Sequence, residues 1–414
     1  MSETNPRSFA EKLDLLAEVA VKVGLGLQPG QELVMTASLD SLELARRITE
    51  QAYKAGASLV TTLFSDDQAT LARYHHAPDA SFDHAPKWLY EGFAEAFKSG
   101  AARLAISGAN PALLANEDPD KVSRASRAVS VAYRPALELI TRHAINWTIV
   151  AAASPAWAQA IFPDATPEVA LAQLWEAIFA VSRINEADPV AAWKAHDTAL
   201  QQRAALLNEK RYSYLQYKGP GTDLRLGLAD DHLWMGGGSM AGNGLYGIPN
   251  MPTEEIFTTP HKERAEGVVT ATKPLSHQGS MIEEIQVRFE AGRIVEARAS
   301  RGQQVLEKLL DTDEGSRRLG EVALVPHSSA ISASGLTFLN TLFDENAASH
   351  IALGQAYSTC VREGEKMNAE QLAAKGANDS LIHVDWMIGS GELDIDGVTA
   401  SGTVEPLMRK GEWV

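Results

Sequence analysis

The chain has 414 residues, 45% of them apolar and 22% charged, and carries 37 basic against 53 acidic residues for a formal charge of −16. That length exceeds what one hydrophobic core usually serves, so two domains are expected, and the composition excludes a disordered or collagen-like chain. The acidic balance repels nucleic-acid phosphates and anionic membranes alike, which sets both aside as partners.

Residues 8–24 place Leu13, Leu16, Val19, Ala20 and Val23 at helical spacing. The opening MSETNPRSFAEKLDLLAEVA lacks the basic start and apolar core of a signal peptide. No later run approaches the roughly 20 apolar residues that span a bilayer. With one cysteine, Cys360, an internal disulfide framework is ruled out, and a cytoplasmic protein is expected. Gln28, Pro29 and Gly30 turn the chain into a strand at 32–38; Asp40 caps a helix over 41–55 that stops near Gly56. ASLVTTLFS (57–65) reads as a buried strand, and ARLAISG (102–108) and INWTIVAAA (145–153) repeat the pattern. Helices near 84–99, 119–142 and 166–183 complete the alternation, which predicts a parallel, doubly wound sheet in an α/β N-terminal domain.

A long charged helix over 187–211 reads as a connector, and the composition changes beyond it. YSYLQYKG, TDLRLGLA, GVVTATKP, EEIQVRFEAGRIVEARAS and ELDIDGVTASG alternate apolar and polar residues between glycine turns. Phe289 to Ile294 reads as a hairpin. The expected organisation is therefore an α/β domain with its connector helix over 1–212, followed by a mainly β (α+β) domain over 213–414 that carries the chemistry, with helices at 302–311 and 366–375.

GGGSMAGNG (236–244) is neither a dinucleotide fingerprint nor a P-loop and reads as a flexible turn. No G-x-S-x-G elbow accompanies a serine mechanism, and nothing activates Cys360. His75 and His76 are adjacent and cannot share a helix face, so they are expected at the surface or an interface. His143, His196, His232, His261, His277 and His327 receive no role from spacing. What remains is a carboxylate–histidine group late in the chain. His383 and Asp385 lie two apart in a strand-like run and so share a face. Glu345 and His350 sit in an expected loop-to-helix segment. Glu321 stands at the head of an apolar strand, where a lone glutamate is ordinarily solvated. Glu254 and Glu255 follow one another, so in an extended chain only one can face a given site. Together these residue types could hold two cations.

PTEEIFTTP, EVALVP, LFDENAASHIALGQAY and HVDWMIG resemble, in order and spacing, the motifs of the thermophilic-type metalloaminopeptidases, the aminopeptidase T and aminopeptidase S family. The resemblance implies two divalent metal ions per chain, with cobalt, zinc or magnesium as the candidate ions. It implies Glu255, Glu321, Glu345, His350, His383 and Asp385 as metal ligands, with Glu321 bridging. It also implies Tyr357 as a catalytic tyrosine and a homodimer whose active sites open into a shared cavity. Chemically, a metal-bound glutamate, Glu255 or Glu345, suits the general base, and Glu254 is a candidate partner for the substrate amine. The resulting expectation is hydrolysis of N-terminal residues from short peptides. A hydrolase of another small amide, or a non-catalytic binding protein on the same fold, is the alternative.

Overall fold

The computed structural model describes residues 7–277 and 280–414. Four strands, β1 (Glu32–Ser38), β2 (Leu59–Ser65), β3 (Ala102–Ser107) and β4 (Trp147–Ala151), form one all-parallel sheet in the order β2-β1-β3-β4. This is the α/β sheet expected from the sequence, except that β2, read as a buried strand, lies at the sheet's edge with Leu59 and Phe64 exposed. Its helices start where local chemistry says they should. Ser8 and Glu11 make a capping box at Phe9–Val19. Helices Pro119–Thr141, Pro155–Ile161, Pro167–Val181 and Pro189–Lys210 each open with proline in the first turn, after Asp118, Ser154, Thr166 and Asp188. The first helix does not run evenly to 24. It gives way to a wider π-helical turn at Ala20–Leu25, where a Cβ on Gly24 would lie 2.7 Å from both Met251 and Thr148.

The second half is built on antiparallel sheets, as its composition predicts. An eight-stranded sheet includes Tyr214–Gly219, Thr222–Leu228, Pro260–Thr270, Gln286–Glu290 and Arg293–Arg298. The expected hairpin is present, and Ala291 (φ 46°) and Gly292 (φ 77°) supply the two left-handed residues its turn requires. A second sheet of five strands runs His383–Met387, His350–Gly354, Leu319–Leu324, Ile256–Thr258 and Met235–Gly236, each antiparallel to its neighbour.

Two large cores result. The first gathers the N-terminal helices around the parallel sheet; the second fills the space between the antiparallel sheets. The connector helix Pro189–Lys210 sends Trp193 into the first core and Leu200, Ala204 and Leu207 into the second. Ile331, Phe338, Leu342 and Phe343, far along the chain, return to the first core, so the halves interlock. Among the described residues no helix is long and apolar enough to cross a membrane.

Candidate metal centre

The five-stranded sheet explains why residues so far apart in sequence meet. Opposed residues on paired strands share a face, and every second residue along a strand does too. Register pairs Glu321 with Ala352, and Ala352 with Asp385. One row thus reads Glu321, Ala352, Asp385 across three strands. His350 lies two residues before Ala352, and His383 two before Asp385, so both imidazoles join that face. Phe257 opposes Ala323 on the same face, and Glu255, two residues earlier, extends it. The alanine between the two carboxylates leaves the floor of the site open.

Glu345 and Tyr357 arrive from outside the ladder. Glu345 opens a single turn, Glu345–Ala347, at the end of helix Thr341–Asp344; Tyr357 follows the His350–Gly354 strand. The segment between Glu345 and His350 therefore runs from helix to strand, not from loop to helix. Glu321 also differs from expectation. It sits inside the strand Leu319–Leu324, whose every residue is buried, and is itself only 5% exposed.

The side chains converge on one cavity lined by Glu255, Glu321, Glu345, Tyr357, His383 and Asp385. His350 Nε2 lies 3.0 Å from Glu255 Oε2, 3.6 Å from Glu321 Oε1 and 4.0 Å from Asp385 Oδ1. His383 Nε2 lies 3.6 Å from Glu321 Oε2 and 3.5 Å from Asp385 Oδ1. Potential ligand atoms of Glu255, Glu321 and His350 lie within 4.8 Å of one another, as do those of Glu321, His383 and Asp385. Glu321 belongs to both groups.

These residues fit a divalent cation. Glu255 Oε2, His350 Nε2 and Asp385 Oδ1 are buried and have no hydrogen-bond partner among the described residues. The 3.0 Å approach of Glu255 to His350 is thus closeness without hydrogen-bond alignment, as expected of donors aimed at a common ion. The outer face of each imidazole is tied down. The Nδ1–H of His350 donates to Ala348 O at 3.2 Å and that of His383 to Gln355 O at 2.7 Å. A carbonyl can only accept, so in each neutral ring the lone pair sits on Nε2, facing the cavity.

Without a cation the cluster holds protons. Burial pushes the Glu321 carboxyl up to about 7, against the pull of His350, and raises Glu345 well above the usual range. Burial alone would lower the imidazoles, but Glu255 and Glu321 raise His350, and Asp385 and Glu321 bring His383 to about 9. Asp385 goes the other way: burial opposes its charge, yet His383 and His350 overcome it. Burial, reinforced by the carboxylates around it, keeps the Tyr357 hydroxyl protonated far above its ordinary range.

Glu254 does not line this cavity. Its carboxylate accepts from Arg183 at 2.7 Å and lies 3.5 Å from His196, so its expected part in amine recognition falls away. It belongs instead to a buried brace. Asn346, fully buried, accepts from Glu254 N at 2.6 Å and donates to Glu345 Oε1 at 3.3 Å. Asn250 Nδ2 reaches the same Glu345 oxygen, also at 3.3 Å. None of Asn250, Asn346, Arg183 or His196 announces itself by spacing, because each acts through a partner distant in sequence.

The glycine-rich stretch is not loose either. Gly236, Gly237, Gly238 and Ser239 form one wall of the cavity. Gln201 donates to the carbonyls of Gly236 and Gly238, and Asp197 accepts from Gly238 N at 2.7 Å. A Cβ on Gly238 would lie 2.6 Å from the Tyr246 ring, so the glycine there is a packing requirement. His143, half of a contact with Ser239 Oγ at 3.0 Å, lines the same wall.

The sequence pattern of the thermophilic metalloprotease family, M29, matches residues 9–413. The chain belongs to this family. It is 52% identical over 407 residues to aminopeptidase T of Thermus thermophilus, covering 98% of this chain and 99% of that protein. Aminopeptidase AmpS of Bacillus subtilis is 44% identical over 406 residues, with 98% and 99% covered. The solved structure of wild-type AmpT from Thermus thermophilus matches with a TM-score of 0.90 at 51% identity, over 98% of this chain and all of that one.

Proposed function

We propose that this metalloaminopeptidase removes N-terminal residues from short peptides using two divalent ions held by Glu255, Glu321, Glu345, His350, His383 and Asp385. The observation that carries this reading is the pair of ligand groups sharing Glu321, with orphaned donor atoms facing inward. Ions so held, whether zinc, cobalt or magnesium, would polarise the scissile carbonyl and lower the pKa of a bound water.

The chain's own residues do the rest. Glu255 or Glu345 takes the proton of the attacking water and returns it to the departing amine. Glu345 Oε1 is occupied by Asn250 and Asn346, which fixes the carboxylate while its other oxygen stays available. Tyr357 keeps its proton and donates it in a hydrogen bond to the oxyanion as the carbonyl becomes tetrahedral. Its ring is held by His383, at 4.9 Å between centroids, and Phe257, at 6.0 Å. With Glu254 engaged elsewhere, the substrate's free amine donates to Asn250 Oδ1, a buried acceptor on the cavity wall without a partner among the described residues.

We infer a two-part chain, residues 1–212 roofing the cavity and 213–414 supplying the ligands, that works as a homodimer in the cytoplasm. The decisive comparison is a free-amine dipeptide or leucine p-nitroanilide against its N-acetylated form. The acetylated substrate is expected to lose nearly all activity. Equal rates on both would favour a hydrolase of other small amides.

A further inference from the structure

The cavity lined by the proposed metal ligands continues beyond them. A hollow of about 440 Å³ holding Glu345, Tyr357, His383 and Asp385 shares Ser107 and Ala109 with a second, of about 550 Å³, over the face of the parallel sheet. This second hollow reaches the carboxyl ends of the neighbouring strands β1 and β3, where the strand order switches and where parallel sheets commonly receive ligands. Its walls are mostly apolar, with Leu63, Phe93, Tyr90 and Tyr133 among them. Among the described residues lining the ligand cavity and these two hollows, Arg103 is the sole lysine or arginine.

Arg103 has no carboxylate within ion-pair distance and no side-chain hydrogen bond among the described residues, although the chain carries 53 acidic side chains. Its guanidinium lies 5.7 Å from the ring centroid of Trp147, directly across the β3–β4 register. Trp147 in turn lines both the ligand cavity and the first hollow. An unpaired cation stacked on an aromatic wall, one indole away from the reacting centre, is arranged to receive an anion.

The geometry points to Arg103 as the anchor for the C-terminal carboxylate of the peptide substrate, and so as the residue that selects short peptides with a free C-terminus. This inference rests on the aminopeptidase reading above. A peptide bound with its amine at the ligand cluster directs its other end along the continuous hollow towards Arg103. A longer chain would carry its carboxylate past the guanidinium, and an amidated one would offer no charge.

The test compares KM for leucine-headed di-, tri- and tetrapeptides as free acids and as C-terminal amides, in the wild type and in Arg103→Met and Arg103→Lys. Wild-type protein should favour the free acid by about tenfold or more at one short length, the usual weight of a charge-assisted hydrogen bond. In Arg103→Met that ratio should fall to near one, with kcat for the same peptides little altered, and Arg103→Lys should restore part of it. Because the readout is a ratio on one protein, general damage to folding cancels. A wild-type ratio near one, or a ratio that survives Arg103→Met, would overturn the assignment. Failure of the wild type to release leucine from any of these peptides, free acid or amide, would instead sink the aminopeptidase reading itself.

Discussion

Tyr357 and the ligand carboxylates illustrate how much a single environment decides. Burial beside Glu321, Asp385, Glu345 and Glu255 raises the proton affinity of this phenol well above the usual range, so its hydroxyl keeps a proton to donate. Tyr357→Phe should therefore retain bound metal and lose turnover by about 10²–10³, the usual cost of one oxyanion donor. Steady-state kinetics beside metal analysis checks this, and an unchanged kcat would remove Tyr357 from the chemistry. The ligands make a separate prediction about pH. Glu321 (about 7) and His383 (about 9) both have raised proton affinities in the metal-free cluster. Each must shed its proton to coordinate, so protons compete with the ion. Metal affinity should rise as pH climbs through 7 and towards 9, then level off. Chelator competition across that range would show it; an affinity flat with pH would contradict the ligand set.

The strand Leu319–Leu324 and its neighbours do at the element scale what no single residue could. Their alternation puts Glu321, His350, His383 and Asp385 on one face, with Ala352 as the gap between two carboxylates. Ala352→Val should crowd that floor, lowering stability by about 1–3 kcal/mol and weakening metal binding far more than a valine on the opposite face. Thermal unfolding and metal titration separate the two effects; metal binding unchanged in Ala352→Val would argue against the shared floor. This is also the scale at which the sequence was most legible. Helices near 119–142 and 166–183, the connector over 187–211 and strands β1 to β4 were all readable close to their observed bounds, although the β-branched run at β2 looked buried and lies at the sheet's exposed edge. The His383-x-Asp385 spacing on a strand followed from period two alone. Glu321 was harder, because a glutamate in an apolar strand looks like a solvated end until register shows what it opposes. Glu345 and Tyr357 sit on turns whose direction has no period to read, so residue type could nominate them but only the resemblance to a known motif gave them roles. The brace of Arg183, Glu254 and Asn346 joins residues 71 and 92 positions apart and leaves no local trace.

The whole molecule places a buried, acidic cluster at the seam between two interlocked cores. Phe338, Leu342 and Phe343 carry the chain from the second core into the first just before Glu345, so one proposed ligand is positioned by packing in the other half. Arg183 and His196, near the ends of the first core, likewise hold the backbone that leads into Glu255. The centre is thus a property of the assembled fold, and the proposed chemistry depends on two ions sharing Glu321. The most direct measurement is metal content by elemental analysis of the wild type and of Glu321→Gln, with leucine p-nitroanilide hydrolysis before and after chelation and readdition. The wild type should hold about two divalent ions per chain, lose activity on chelation and regain it, while Glu321→Gln loses both metal and turnover. Full activity and normal metal content in Glu321→Gln, or wild-type activity that survives complete removal of metal, would contradict it.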